Sequence, residues 1–234
     1  AQVQALTTGA VAAMTTAQVA ALDTAQASGL TTAQVRALTT AQVVALTTTQ
    51  AEKLGTAQLA ALTNTQVKAL ETADLAKLST AQLGAVTTAA IGGLSTDQVA
   101  ALSTLQVSKL TDAQVGAMSA TQVKGIETAD LAVMSSSQLQ AISSAAVGQL
   151  STAQVAALTT AQIDKLTAAQ VKALTTAQIG ALDSAQVAKL TTEQLNALSG
   201  VQVAALDAGD LAGLSAAQVQ ALTTGAVAAM TTAQ

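Results

Sequence analysis

The sequence predicts an all-α solenoid, a superhelix of short capped helices with one helix in every eight residues. Three observations carry that prediction. An octad runs through the 234 residues without an inserted or deleted position, each octad contains a helix-start signal, and acids and bases are sorted within it as a helix requires. Residues 31–38, Thr-Thr-Ala-Gln-Val-Arg-Ala-Leu, state the phrase. A leucine-type residue (Leu, Met, Ile or Val) fills every eighth position from Leu6 to Met230, 29 positions in all, so the register never slips.

The helix start comes first in each octad. With Thr31 as N-cap, its hydroxyl accepts from the backbone N–H of Gln34 at N3, and the Gln34 amide reaches back to the cap, a reciprocal capping box. Leu30 and Val35 then occupy the two positions of a hydrophobic staple. Of the 29 cap positions 26 hold Ser, Thr or Asp, a choice that only a cap role explains; Gly55, Glu71 and Glu127 are the exceptions. The next cap, Thr39, follows so soon that each helix has about two turns at most. Isolated helices shorter than about 12 residues are marginal in water. These segments must therefore be held by stacked neighbours, as in repeat arrays that build one continuous core.

Rival periodicities fail on arithmetic. A continuous helix turns about 100° per residue, so an eight-residue step would carry the apolar stripe round it by about 80°. Coiled coils need periods of about 3.5 or 3.67 residues, and neither divides eight. In a strand, Val35 and Leu38 would face opposite sides. A β-solenoid is the alternative, since Thr and Val suit strands, although Ala and Gln do not.

Composition narrows the partners. Phe, Tyr, Trp, Cys, His and Pro are all absent, so the core must be thin, built of Leu, Val and Ala methyl groups without aromatic bulk. A net charge of −4 gives no electrostatic case for nucleic acid or an anionic membrane. The nine basic residues, Arg36, Lys53, Lys68, Lys77, Lys109, Lys124, Lys165, Lys172 and Lys189, all fall on the two positions before the leucine-type residue. Acids fall mainly on the cap and the positions just after it, with Glu52 and Asp164 as exceptions, which is the sorting a helix dipole favours. Thr, Ser and Gln interrupt every octad, so no transmembrane stretch and no membrane insertion are expected. The acidic, cysteine-free composition points to an extracellular or cell-surface setting.

Longer order lies above the octad. Residues 1–18 recur letter for letter as residues 217–234, an offset of 217 − 1 = 216 residues. Residues 1–234 are therefore expected to be a single octapeptide-repeat solenoid cut from a longer array with a 216-residue super-repeat. In the N3 column, 23 of 30 positions are Gln, and the seven others are not random. Asp74, Asp130 and Asp210 precede Ala90, Ala146 and Ala226 by sixteen residues each, and Ala10 completes the set. Either a longer block was duplicated, or residues sixteen apart are stacked neighbours. The second reading means two helices per coil and a rod on the order of 130 Å long at helix spacings of about 8–10 Å.

The chain offers little chemistry. The acid pairs Glu71 with Asp74, Glu127 with Asp130 and Asp207 with Asp210 would suit a cation or acid–base work. Each occupies cap and N3, however, where acids stabilise a helix start in any case. Hydroxyls are abundant, but a nucleophile needs a base and no histidine exists; neighbours such as Ser108 and Lys109 point apart on a helix. The Gly92–Gly93 pair has no phosphate-binding spacing and is expected to ease close packing. The expectation is no catalytic, cofactor-binding or metal residue, no cofactor, no small-molecule substrate and no enzyme activity.

The Leu-Thr-Thr-Ala-Gln-Val wording resembles the octapeptide stretches of very large exported bacterial surface proteins of the adhesin-like kind, over the whole chain. The resemblance implies an extracellular spacer, stalk or fibre-forming segment and carries over no site residue. The same words are similar to the helix start of TAL-effector repeats, whose longer repeat and base-reading loop are missing here. Two further expectations follow from the regular surface: head-to-tail self-association of raw solenoid ends, and, as the alternative function, a Thr/Gln lattice that binds ice, peptide or glycan. Circular dichroism separates the two fold classes: the double minimum of helices is expected, and a single β-type minimum would replace the α-solenoid by the β-solenoid.

Overall fold

The computed structural model describes residues 2–234. A short 3-10 turn, Val3–Ala5, is followed by 28 α-helices of four to six residues, from Thr8–Ala12 to Thr224–Ala228, one in each octad. No strand occurs among the described residues, so the helical class holds and the β-solenoid does not. The chain divides into two compact units, Ala1–Met118 and Ser119–Gln234, which meet at an octad boundary.

Each helix begins and ends for local reasons. Thr31 is extended, at φ −71° and ψ 160°, and its hydroxyl accepts the Gln34 N–H at 3.2 Å while Gln34 Oε1 accepts the Thr31 N–H at 2.8 Å. The capping box anticipated from the octad is thus formed in both directions. Gly55 has no side chain to cap with, so only Gln58 Oε1 holds its helix start; Glu71 and Glu127 make no side-chain cap. At the other end Leu38, at φ −58° and ψ 135°, leaves the helix in an extended conformation. Its N–H still bonds Val35 C=O, but its own C=O points away from the helix it closes. Arg36, Lys53, Lys68, Lys77, Lys124, Lys165 and Lys172 all lie in last turns, as the dipole argument requires.

Within each unit, helices pack on those three octads away. In the first unit Thr8–Ala12 packs on Thr32–Ala37, that helix on Thr56–Ala61, and that one on Thr80–Ala85; in the second, Ser144–Val147, Ala168–Ala173 and Thr192–Ala197 form a similar rank. Side-chain hydrogen bonds between neighbouring coils join residues 25 to 31 positions apart, so a coil holds more than three octads and fewer than four. The two-helix coil is therefore wrong, and with it the rod length drawn from it. Octads sixteen residues apart lie side by side along one coil instead of on top of one another. Helices this short cannot fold back into a flat two-layer stack, because an extended Leu linker turns the chain through only part of a circle.

The core consists of two rows, as expected. The Val-position side chains are fully buried in most octads and the Leu-position side chains nearly so, whereas Arg36, Lys68, Lys124 and Lys172, one place after the Val position, are exposed. A third row was not anticipated. Most N3 glutamines are buried as well, Gln34, Gln42 and Gln106 being 2–3% exposed, although Gln was assigned only a local capping duty.

That burial has a second partner. Gln106 Nε2 donates to Leu75 C=O and Leu78 C=O, each at 2.8 Å, while its Oε1 accepts the Ser103 N–H. The same reach recurs throughout each unit: Gln66 to Val35 and Leu38, Gln194 to Ile163 and Leu166. The acceptors are the corner carbonyls that the coil below leaves without a helical partner. One amide thus satisfies the start of its own helix and the end of a helix in the next coil.

Three substitutions test the ladder against the apolar rows. Gln106→Ala leaves buried carbonyls unpaired and should cost about 1–3 kcal/mol, and Gln106→Glu should cost more at neutral pH, since a carboxylate would face carbonyl oxygens. Leu102→Asp, at a buried row position, should cost about 3–5 kcal/mol. Urea unfolding of the three variants measures these; an unchanged midpoint for Gln106→Ala would remove Gln from the core.

Candidate functional site

The places where the ladder changes hold the unusual chemistry of the chain. Octads that lack Gln either carry Asp at the same position or close it with Ala, and the structure treats the cases differently.

Asp207 and Asp210 form an all-acid capping box. Asp207 Oδ1 accepts the Asp210 N–H at 2.7 Å, and Asp210 Oδ2 accepts the Asp207 N–H at 3.0 Å. The hydroxyl of Ser184, from the helix Ser184–Val187 of the neighbouring coil, donates to Asp210 Oδ1 at 2.8 Å. Asp210 is thereby supplied with donors on both oxygens, which suits an anion.

Asp74 is the opposite case. It is 1% exposed, and neither carboxyl oxygen accepts a well-formed hydrogen bond. Burial pushes its pKa above the ordinary carboxylate value, and the nearby Glu71 carboxylate acts in the same sense. The Thr48 hydroxyl and the Glu71 backbone act the other way without offsetting burial. In the register of the ladder, the corner below Asp74 is formed by Val43 and Leu46, and no glutamine amide reaches it. Asp130 is likewise buried in the second unit.

Where Ala90 stands in the N3 column, a notch of about 290 Å³ opens, lined by Arg36, Leu62, Thr63, Asn64, Thr87 and Ala90. The helix there, Thr88–Ile91, has only four residues, and Asn64 Nδ2 crosses to Ala89 C=O at 3.1 Å. Gly93 follows for a steric reason: a Cβ on it would lie 2.6 Å from the Asn64 carbonyl oxygen. The expected role of the Gly92–Gly93 pair in close packing is thus met at Gly93. In the second unit a Cβ on Gly148, beside Ala146, would lie 2.8 Å from Ala173 C=O. Coils approach closely where the Gln side chain is missing.

Other groups singled out from the sequence are placed locally. Ser108 Oγ donates to Leu105 C=O at 2.8 Å within its own helix and is not aimed at Lys109. Glu52 with Lys53 and Asp164 with Lys165 form exposed ion pairs at 3.3 and 2.7 Å, of little energetic weight. No group of three or more potential metal-ligating side chains occurs among the described residues. Of the three acid pairs, Asp207 with Asp210 forms a reciprocal helix start, whereas Glu71 and Glu127 make no side-chain cap and the Asp74 carboxyl is buried without a well-formed partner.

Restoring the amide at the notch is a direct check on this picture. Ala90→Gln should reach the carbonyls of Leu59 and Leu62 and gain about 0.5–1.5 kcal/mol. No rise in the thermal midpoint would mean that those carbonyls are already satisfied.

Comparison with known proteins agrees with the geometry. No curated protein matches the chain. The ALTTAQ repeat, whose wording is the octad read from its Ala-Leu end, matches residues 1–32, 28–56, 67–104, 123–160, 156–184, 163–200 and 203–234. The matched segments cover most of the sequence, and the chain belongs to the ALTTAQ repeat family.

Proposed function

We propose that this structural repeat segment is a spacer, a stalk or fibre-forming part of a large bacterial surface protein working outside the cell, and not an enzyme. The observation that carries the reading is the amide ladder: in most octads the helix end of one coil is completed by a glutamine amide of the next, so each coil both requires and supplies a neighbour. Such an array gains length by adding octads without any change of design. The unbroken octad register and the resemblance to exported adhesin-like repeats support the surface role. No helix among the described residues is long and apolar enough to cross a membrane.

The contact between coils also offers a route to self-association. In the second unit a cavity of about 390 Å³ is walled by Leu211, Val219, Leu222 and Met230, and Val219 and Val227 are about half exposed. In the first unit Gln18 is exposed and its amide Nε2 makes no bond to another coil, while Leu6 is 40% exposed. Uncovered apolar rows and corner carbonyls on one copy match uncovered amides on another, a head-to-tail contact that does not close. A lattice that binds ice, peptide or glycan has less support, because cap hydroxyls such as Thr31 Oγ1 are engaged by backbone N–H groups.

Small-angle scattering over a concentration series tests the spacer. A radius of gyration well above the roughly 18 Å of a globule of this length, growing with concentration, is expected; a compact, concentration-independent particle would end the reading. Antibodies to the chain should label intact cells of its source, and labelling only after lysis would remove the surface assignment.

A further inference from the structure

We infer that Asp74 is a proton-binding latch between two coils of the first unit: its carboxyl, buried at the position from which glutamine amides bridge coils elsewhere, holds a proton in the folded chain and releases it as pH rises. The proposal does not depend on the surface role.

The ladder supplies the argument. In neighbouring rows the group at this position brings hydrogens to the corner: Gln66 Nε2 lies 2.8–3.3 Å from the carbonyls of Val35, Arg36 and Leu38, and Gln98 Nε2 lies 2.6–3.2 Å from those of Val67, Lys68 and Leu70. At Asp74 the side chain is one methylene shorter, so the corner of Val43 and Leu46 receives no amide and the buried position holds a carboxyl in its place. An ionised carboxylate only accepts hydrogen bonds and cannot bond a carbonyl, whereas the neutral acid carries one O–H donor. Neither buried oxygen accepts a well-formed hydrogen bond, and the Thr48 hydroxyl and the Glu71 backbone do not make up for the water that the charged form would lose.

No cation is placed to compensate. The helix Thr72–Lys77 packs on Thr48–Lys53 and on Thr96–Ala100. Their ionisable side chains are Glu52 and Lys53, paired with each other at the surface, and Asp97, which is exposed. On the same octad Lys77 is exposed at the far end of the helix, and Glu71 at the cap is a like charge. The helix Thr40–Val44 of the corner carries no charge. Asp210 provides the contrast, since Ser184 Oγ and the Asp207 N–H donate to it.

The direction in pH follows. The folded-state pKa of Asp74 lies above its ordinary value of 3.8, so the folded chain holds a proton that the unfolded chain has released. The contribution of Asp74 to stability is complete below that ordinary value and is lost as pH rises through the folded pKa. Ionisation releases the proton to solvent and leaves a buried carboxylate between coils with no cation beside it, which loosens this coil junction while the Gln-bonded rows stay shut.

The test compares thermal unfolding of the full chain, wild type against Asp74→Gln and Asp74→Asn, from about pH 4 to pH 8, together with hydrogen exchange read by mass spectrometry. Both variants carry a permanent N–H donor, and Asp74→Gln restores the family wording, so folding is retained. The wild-type midpoint should fall by about 2–4 °C or more relative to both variants as pH rises. Amides of residues 40–54 and 72–77 should lose protection in the wild type alone. Glu71→Gln should move the wild-type fall to lower pH. Parallel pH profiles for wild type and variants would overturn the latch, as would a protection loss confined to other segments. Recovery of the wild-type midpoint at neutral pH by Na⁺, K⁺ or Ca²⁺ at fixed ionic strength would also overturn it, in favour of a bound cation.

Discussion

A helix of four to six residues has more unpaired backbone groups at its ends than paired ones inside, and such ends cannot be buried without partners. In this chain the glutamine amide resolves that constraint. Its oxygen faces the start of its own helix, and its nitrogen faces the corner one coil below. Glutamate would lose the donor and asparagine the reach. The apolar Leu and Val rows supply the drive for burial, but they can be buried only because polar backbone ends enter the core together with the amides that bond them.

The three-to-four-octad coil follows from the same contact. An amide at N3 of one helix must lie over the point where the chain below leaves one helix and begins the next, since the unpaired carbonyls are found there. Stacking each helix on the corner of the coil below, with its main packing against the helix three octads back, meets that demand. Cooperation is therefore between coils, and a defect in one octad is felt at residues 25 to 31 positions away before it is felt two octads along the chain.

Against that background the seven departures from Gln are local edits of one joint. Alanine with a nearby glycine omits the amide and lets backbones approach, as at Ala90 with Gly93 and Ala146 with Gly148. Aspartate keeps a polar group but changes its sign and reach. It accepts hydrogen bonds from a neighbouring hydroxyl and a cap amide at Asp210, and is left without a well-formed partner at Asp74. The sixteen-residue link between Asp and Ala positions is not a stacking relation, because helices pack on those three octads away.

The octad by itself determined helix, boundaries and facing. The Thr31–Gln34 box starts a helix, the next cap stops it, and the Val35 and Leu38 positions are the only apolar ones in register to form rows. These are interactions over three or four residues, and local sequence encodes them completely. The tertiary structure decided the number of octads in a coil, the burial of the Gln column and the isolation of the Asp74 carboxyl. Each of these depends on what lies one coil away, a separation that a strict eight-residue period leaves open, since every multiple of eight brings the same pattern into register. The free Nε2 of a capping glutamine was the signal that could have shown it: a box that uses only the oxygen of a buried amide leaves two donors that must find acceptors in another coil.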